Sequence, residues 1–318
     1  MRMATCALIG FIVGSALLTD VPDANATPVA CTREISKGFA KFTQAKMKAL
    51  GRCEDAVLNG KLAGPCPDAK TTAVLAKAEA KLRSSIQKKC GGPDGVCGSG
   101  TDETLASIGW NVGACRNFES GSCTNAINHC GDVAECLLCV GNAAVNQAVG
   151  LYYDGLAASV DTTVQRCQRE IGRSAAKAFR AETKALQKCA DARLKGSPGS
   201  CPDPKTNALI ARARAKAVAK MCQVCGGSDG VCGGTGDLTP AAIGFPSSCP
   251  AVTIPGGTAC GGPVTNLQGL INCVSCVTAF KSDCTDAISV PTLESYPSQC
   301  NANPEATPTG GAPNPTPT

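Results

Sequence analysis

Large side chains are scarce in this sequence. Phe, Tyr and Trp together make up 3% of its residues, Met occurs four times, and His129 is the single histidine. Although 43% of the 318 residues are hydrophobic, about half of those are Ala or Cys, so burial of bulky groups is a weak source of stability here. Something besides a large apolar core has to hold the fold. The lack of histidine also narrows the chemistry, since only one imidazole is on hand to act as a catalytic base or metal ligand. Long apolar runs are missing too. Ala4 to Leu18 is too short for a comfortable membrane span, and no later stretch reads as apolar enough to replace it.

What the chain has instead is cysteine, 23 in all. At that density, disulfides of an exported protein are the expected staple. The N-terminus agrees, because Arg2 precedes the apolar run and Ala24-Asn25-Ala26 fits a small-x-small cleavage site. Residues 1–26 therefore read as a signal peptide cleaved after Ala26. Cys6 leaves with it and 22 cysteines remain. A lipoprotein would need its acylated Cys directly after the apolar run, whereas Cys31 lies well beyond it. The expected location is secreted, periplasmic or cell envelope.

A nine-residue phrase occurs twice, as Cys90-Gly-Gly-Pro-Asp-Gly-Val-Cys97-Gly and Cys225-Gly-Gly-Ser-Asp-Gly-Val-Cys232-Gly. Such self-similarity marks a duplicated unit. Laying Cys31 on Cys167 brings nine cysteines of each copy into register, which divides the chain into unit one, 27–158, and unit two, 159–300. Residues 301–318 form a Thr/Pro-rich tail of disordered composition. Nine is odd. Full pairing then needs the unshared Cys130 in unit one and Cys222, Cys284 and Cys300 in unit two, or a disulfide between units.

Each unit opens with an amphipathic helical stretch, Cys31 to Cys53 and Cys167 to Cys189. In the first, Ile35, Phe39, Phe42 and Leu50 recur at helical steps with Lys37, Lys41 and Lys48 between them. After a Pro/Gly-rich turn a second helix begins near Pro67-Asp68 or Pro202-Asp203 and ends at the twin phrase. Two helices of near-equal length form an antiparallel hairpin. That arrangement predicts the disulfides Cys53–Cys66 and Cys189–Cys201 at the turns, and Cys31–Cys90 and Cys167–Cys225 at the open ends. Short helices over 102–108 and 239–243, Gly-rich disulfide-tied loops, and a third long helix follow. The third helix is expected over 132–156 and over 265–288, the latter interrupted at Cys284. The expected fold class is thus mostly α, with two homologous disulfide-stapled units, each a long antiparallel helical hairpin plus a Gly-rich loop region and a further helix.

Candidate chemistry is thin. Cys136/Cys139, Cys222/Cys225 and Cys273/Cys276 form Cys-x-x-Cys pairs, but an exported chain with one histidine favours disulfides over zinc, and the strand-helix-strand context of a thioredoxin site is missing. No Cys-x-x-Cys-His occurs, so haem attachment is excluded. His129 has no counterpart in unit two and reads as a surface residue. Asp94 and Asp102, with Asp229 and Asp237, sit in Gly-rich loops that suggest calcium, yet EF-hand spacing is absent and turn capping accounts for the same residues. No catalytic residue, metal site or cofactor is expected.

Charge is the one feature that suggests a partner, whose identity the sequence leaves open, and a solvated helix face balanced by its own acidic loops is the plain alternative. Residues 31–90 hold 13 Lys or Arg against 5 Asp or Glu, and residues 167–225 hold 13 against 4, a combined net charge of +17 in a chain whose total is +5. Basic hairpins joined by acidic connections suit an anionic polymer, a lipid surface, or head-to-tail self-association. Nucleic acid is disfavoured by the few aromatics, the lack of a reading motif and the compartment. The spacing Cys53, Cys66, Cys90, Cys97, repeated as Cys189, Cys201, Cys225, Cys232, is similar to the latter part of saposin-like domains, and that resemblance implies lipid contact. The mature chain as a whole resembles uncharacterised exported Cys-rich tandem-repeat proteins of environmental bacteria. The expected function is non-catalytic: a secreted or envelope structural or binding protein with basic helical faces. A saposin-like lipid-interacting protein is the first alternative, and an enzyme with an unrecognised site the second.

Overall fold

The computed structural model describes residues 27–119, 121–154, 156 and 158–301. The expected signal peptide lies outside the described residues, as does the expected tail apart from Asn301. Helices α1 (Pro28–Leu58) and α2 (Ala69–Cys90) form the hairpin of unit one, and α4 (Thr162–Leu194) and α5 (Pro204–Cys225) that of unit two. Their start sites follow from sequence. Asp68 accepts a hydrogen bond from Thr71 N at 2.8 Å, and Asp203 from Thr206 N at 2.6 Å, each satisfying an orphan amide of the first turn.

Among the described residues, all 22 cysteines are paired within their own units. Cys53–Cys66 and Cys189–Cys201 staple the hairpin turns, and Cys31–Cys90 and Cys167–Cys225 the open ends. Cys115–Cys136, Cys123–Cys139, Cys249–Cys273 and Cys260–Cys276 tie the Gly-rich loops to the third helices. One repeat position breaks symmetry. Cys97 pairs with Cys130, whereas its counterpart Cys232 pairs with Cys222, because unit one has Gln87 where unit two has Cys222, and unit two has Leu267 where unit one has Cys130.

The twin phrase forms a similar corner in both units. Gly92 and Gly227 adopt φ of +66° and +63°, and a side chain at Gly92 would overlap the Thr101 carbonyl. The carbonyl that ends each hairpin is then capped from the next segment, Cys90 O by Glu103 N at 2.8 Å and Cys225 O by Leu238 N at 3.0 Å.

The third helix of unit one, α3 (Cys130–Val149), continues as a π-helical turn over Gly150–Asp154 rather than as α-helix to 156. The wider turn sends two successive tyrosines inward. Tyr152 meets Thr278, while Tyr153 lies against Gly172 and donates toward Gly51 O at 3.4 Å. Residues 130–153 are, contrary to the expectation from sequence, long and apolar enough to cross a membrane by length and composition; here 61% of that window is buried inside the protein. Unit two has the short helix α6 (Pro240–Ile243), a two-residue antiparallel pair β1 (Ser248–Cys249) and β2 (Gly262–Pro263), and α7 (Leu267–Ser289). Cys284 does not interrupt α7: it is buried and bonded to Cys300 on the closing helix α8 (Ser298–Asn301). The helix expected over 102–108 is a series of turns.

One contiguous cluster runs through both units, from Ile35 and Phe39 on α1 through Val133 and Val140 on α3 to Phe179 on α4 and Val274 on α7. Close backbone approach makes this possible with few aromatics. Gly141 on α3 leaves room for Phe39 and Phe42, and Gly172 on α4 for Tyr153. A buried cation also crosses between units, with Lys281 of α7 paired to Glu119 and lying 5.0 Å and 5.3 Å from the ring centres of Phe118 and Phe280. Burial lowers the Lys281 pKa to about 8 against the attraction of Glu119.

Candidate functional site

Helices α1 and α4 lie side by side at the centre of the molecule and run antiparallel. Contacts at both ends fix the register: Arg33 Nε meets Asp191 at 2.7 Å, Arg173 pairs with Asp55, and Gln165 Nε2 donates to Leu58 O at 2.7 Å. Arg33 and Asp55 on α1 are the repeat counterparts of Arg169 and Asp191 on α4, so the pair has approximate two-fold symmetry.

Most faces of both helices are buried, and beyond the first turns what remains exposed is basic apart from Ala181. Past its first turn α1 exposes Lys37, Lys41, Lys48 and Arg52; past its first two turns, α4 exposes Lys177, Ala181, Lys184 and Lys188. Spacings of four and seven residues keep each set on one face. The antiparallel register sets Lys37 opposite Lys188, Lys41 opposite Lys184, Lys48 opposite Lys177 and Arg52 opposite the half-buried Arg173. Like charges therefore stand at matching levels of the two helices, and at one end Lys48, Arg52, Arg173 and Lys177 line a common cavity. Among the described residues, Lys41, Lys48, Arg52, Lys177, Lys184 and Lys188 have no ion-pair partner.

At one end the seam opens into a cavity of about 410 Å³. Lys48, Arg52, Arg173, Lys177 and Arg180 line it against one carboxylate, Asp55, with buried Met47, Gly51 and Tyr153 beneath. Burial and the neighbouring Arg52 charge lower the pKa of Arg180, and burial raises that of Asp55 despite Arg173. The chemistry on offer is the binding of anionic oxygen, with guanidinium forks beside point-charge ammonium groups.

Compared with known proteins, the chain matches no family model, no curated protein and no solved structure. Its own geometry has to carry the functional argument.

Lys37, Lys41 and Lys48 of the expected basic helix lie on this seam, whereas the residues weighed from sequence for catalysis or metal binding fall elsewhere. His129 caps α3, its Nδ1 accepting from Gly131 N at 3.1 Å while Asp132 accepts from the backbone of Asn128 and His129. Each Cys-x-x-Cys pair is split between two different disulfides, which removes the free thiols that a redox or zinc reading needs. The aspartates proposed for calcium serve backbone amides: Asp94 takes Val96 N, Asp102 takes Gly98 N, Asp229 takes Val231 N and Asp237 takes Gly233 N, at 2.7–3.0 Å. Asp102 does lie close to Cys97 and Cys130, but those two sulfurs are bonded to each other.

Sequence reasoning identified basic hairpins but missed the seam, and did not single out Arg52, Arg173, Lys177, Arg180, Lys184 or Lys188. A signal was present. Lys37, Lys41, Lys48 and Arg52 recur as Arg173, Lys177, Lys184 and Lys188 at the constant offset of the repeat.

Proposed function

We propose that the protein is an exported, non-catalytic binding component that holds an anionic partner along the cationic seam of α1 and α4. The single observation behind this reading is that the solvent-facing stripes of the two central helices are basic except for Ala181, stand level with each other, and converge on one cavity. A merely solvated face would be expected to mix both signs, as surface helices commonly do. Export is supported by the N-terminal leader pattern together with eleven disulfides, which suit an oxidising compartment. The test is retention of the oxidised mature chain on an immobilised polyanion. The parent should be held and released by salt, and K48E/K184E should elute markedly earlier. Elution of both at the same salt concentration would remove the seam from the function.

A second reading is contact with an anionic lipid surface, in line with the saposin-like spacing. It draws on Val74 of α2 and Leu209 of α5, repeat counterparts that are each 47% exposed on the outer helices. Co-sedimentation with anionic liposomes that persists in high salt, and is lost in V74S/L209S, would favour it over the seam.

A further inference from the structure

We infer that the ligand of the seam is a linear phosphate polymer without bases, lying lengthwise between α1 and α4, one chain per molecule. This rests on the anion-binding reading above and names its ligand. The site is linear: from Lys37 to Arg52 it extends roughly 22 Å at 1.5 Å per residue, with cations facing each other across it at four levels. It has two ends. Asp191, held by Arg33 and by Lys195 at 2.6 Å, closes one, and Asp55, paired with Arg173, closes the other.

Facing cations suit phosphate in particular, because each phosphate in a chain carries non-bridging oxygens that two opposed side chains can share, whereas a carboxylate polymer presents one planar group per unit. Arg52, Arg173 and Arg180 around the 410 Å³ cavity add forked donors where the end of a chain, with its extra charge, would sit. The cavity is concave, which a flat membrane cannot fill. Bases have nothing to stack on, since the aromatic ring at this site, Tyr153, is only 3% exposed.

The test uses the full mature chain with disulfides intact and inorganic polyphosphate of graded, defined lengths, followed by calorimetry at several salt concentrations. Affinity should rise with chain length and level off once the seam is spanned, at a stoichiometry of one. K41Q/K48Q/K177Q/K184Q changes exposed side chains only and should weaken binding at least tenfold, with a salt dependence shallower by about 3 in log–log slope for four lost contacts. K77Q/K81Q/R212Q/K216Q, on the outer helices, should change affinity less than threefold. Tighter binding of charge-matched poly-glutamate, single-stranded DNA or anionic vesicles than of polyphosphate would overturn the phosphate-polymer assignment while leaving anion binding at the seam standing; equal losses in the two variants would overturn the seam as the site as well. Failure of every polyanion to bind would overturn both.

Discussion

Each hairpin buries one charge at the same repeat position, Lys46 in the first and Glu182 in the second, and removing the ion-pair partner of Glu182 is the sharpest test of how the core is held. Lys46 on α1 and Glu79 on α2 correspond in the repeat to Glu182 on α4 and Arg214 on α5. Glu182 is fully buried and accepts from the Arg214 guanidinium at 2.8 Å, beside a void of about 10 Å³ that has room for one water at most. Lys46 is 6% exposed, and burial lowers its pKa to about 8 against the field of Glu79. R214M would leave the Glu182 carboxylate buried and unpaired, a loss of about 3–5 kcal/mol, whereas E182M/R214M removes both charges and should lie close to the parent. At roughly 2–4 °C per kcal/mol, the single variant should melt on the order of 10 °C lower at pH 7. The orphaned carboxyl can escape by taking up a proton, and burial already raises the Glu182 pKa, so the deficit should shrink as pH falls toward the ordinary carboxylate range. Thermal unfolding followed by circular dichroism, with disulfides intact, reads all three. A melting point for R214M within 2 °C of the parent, or a double variant as unstable as the single one, would refute the reasoning. The inverted polarity also discriminates between hairpins, because exchanging α2 and α5 would set Lys46 against Arg214 and Glu182 against Glu79.

Acidity inside unit two makes a second prediction. Burial raises the pKa of Asp283 to about 7, with Arg214 opposing and Glu182 and Glu294 adding, and it raises fully buried Asp286 well above the usual carboxylate range. These groups stay protonated in the fold while the unfolded chain ionises near pH 4, so stability should fall as pH rises from about 4 to 7; D283N should flatten that slope in urea titrations, and an unchanged slope would exonerate Asp283. A Cβ at Gly172 would overlap the Tyr153 ring, so G172A should cost about 1–3 kcal/mol in chemical denaturation and also weaken binding at the cavity above that ring; a neutral result would mean that the helix shifts freely. H129A removes the cap of α3 and should cost about 0.5–2 kcal/mol without changing anion binding, whereas a selective loss of binding would give His129 a role beyond capping.

Local rules explain why so much of the architecture was legible. Asp68 and Asp203 announce helix starts because a carboxylate satisfies first-turn amides, and the paired glycines announce a corner because they accept positive φ. Sulfur spacing on two antiparallel helices of matched length suggested which cysteines meet. The continuity of α7 through Cys284 was not legible, since a cysteine is compatible with helix and loop alike. Nor was the π turn at 150–154, which arises from packing two tyrosines against different neighbours.

By itself, the sequence determined the two units, their hairpins, the excess of cysteine over bulky core residues, and a basic stripe duplicated at constant offset. All of these follow from short-range periodicity and chain reversal. Only the tertiary structure decided that α1 and α4 pack antiparallel around one shared core, that Cys97 and Cys232 take different partners, and that the two basic stripes meet. The physical reason is that facing surfaces are set by helix register between units, and register is chosen by the apolar sides of α1 and α4 and by the ion pairs at their ends. The cations left outside take whatever neighbours that packing gives them.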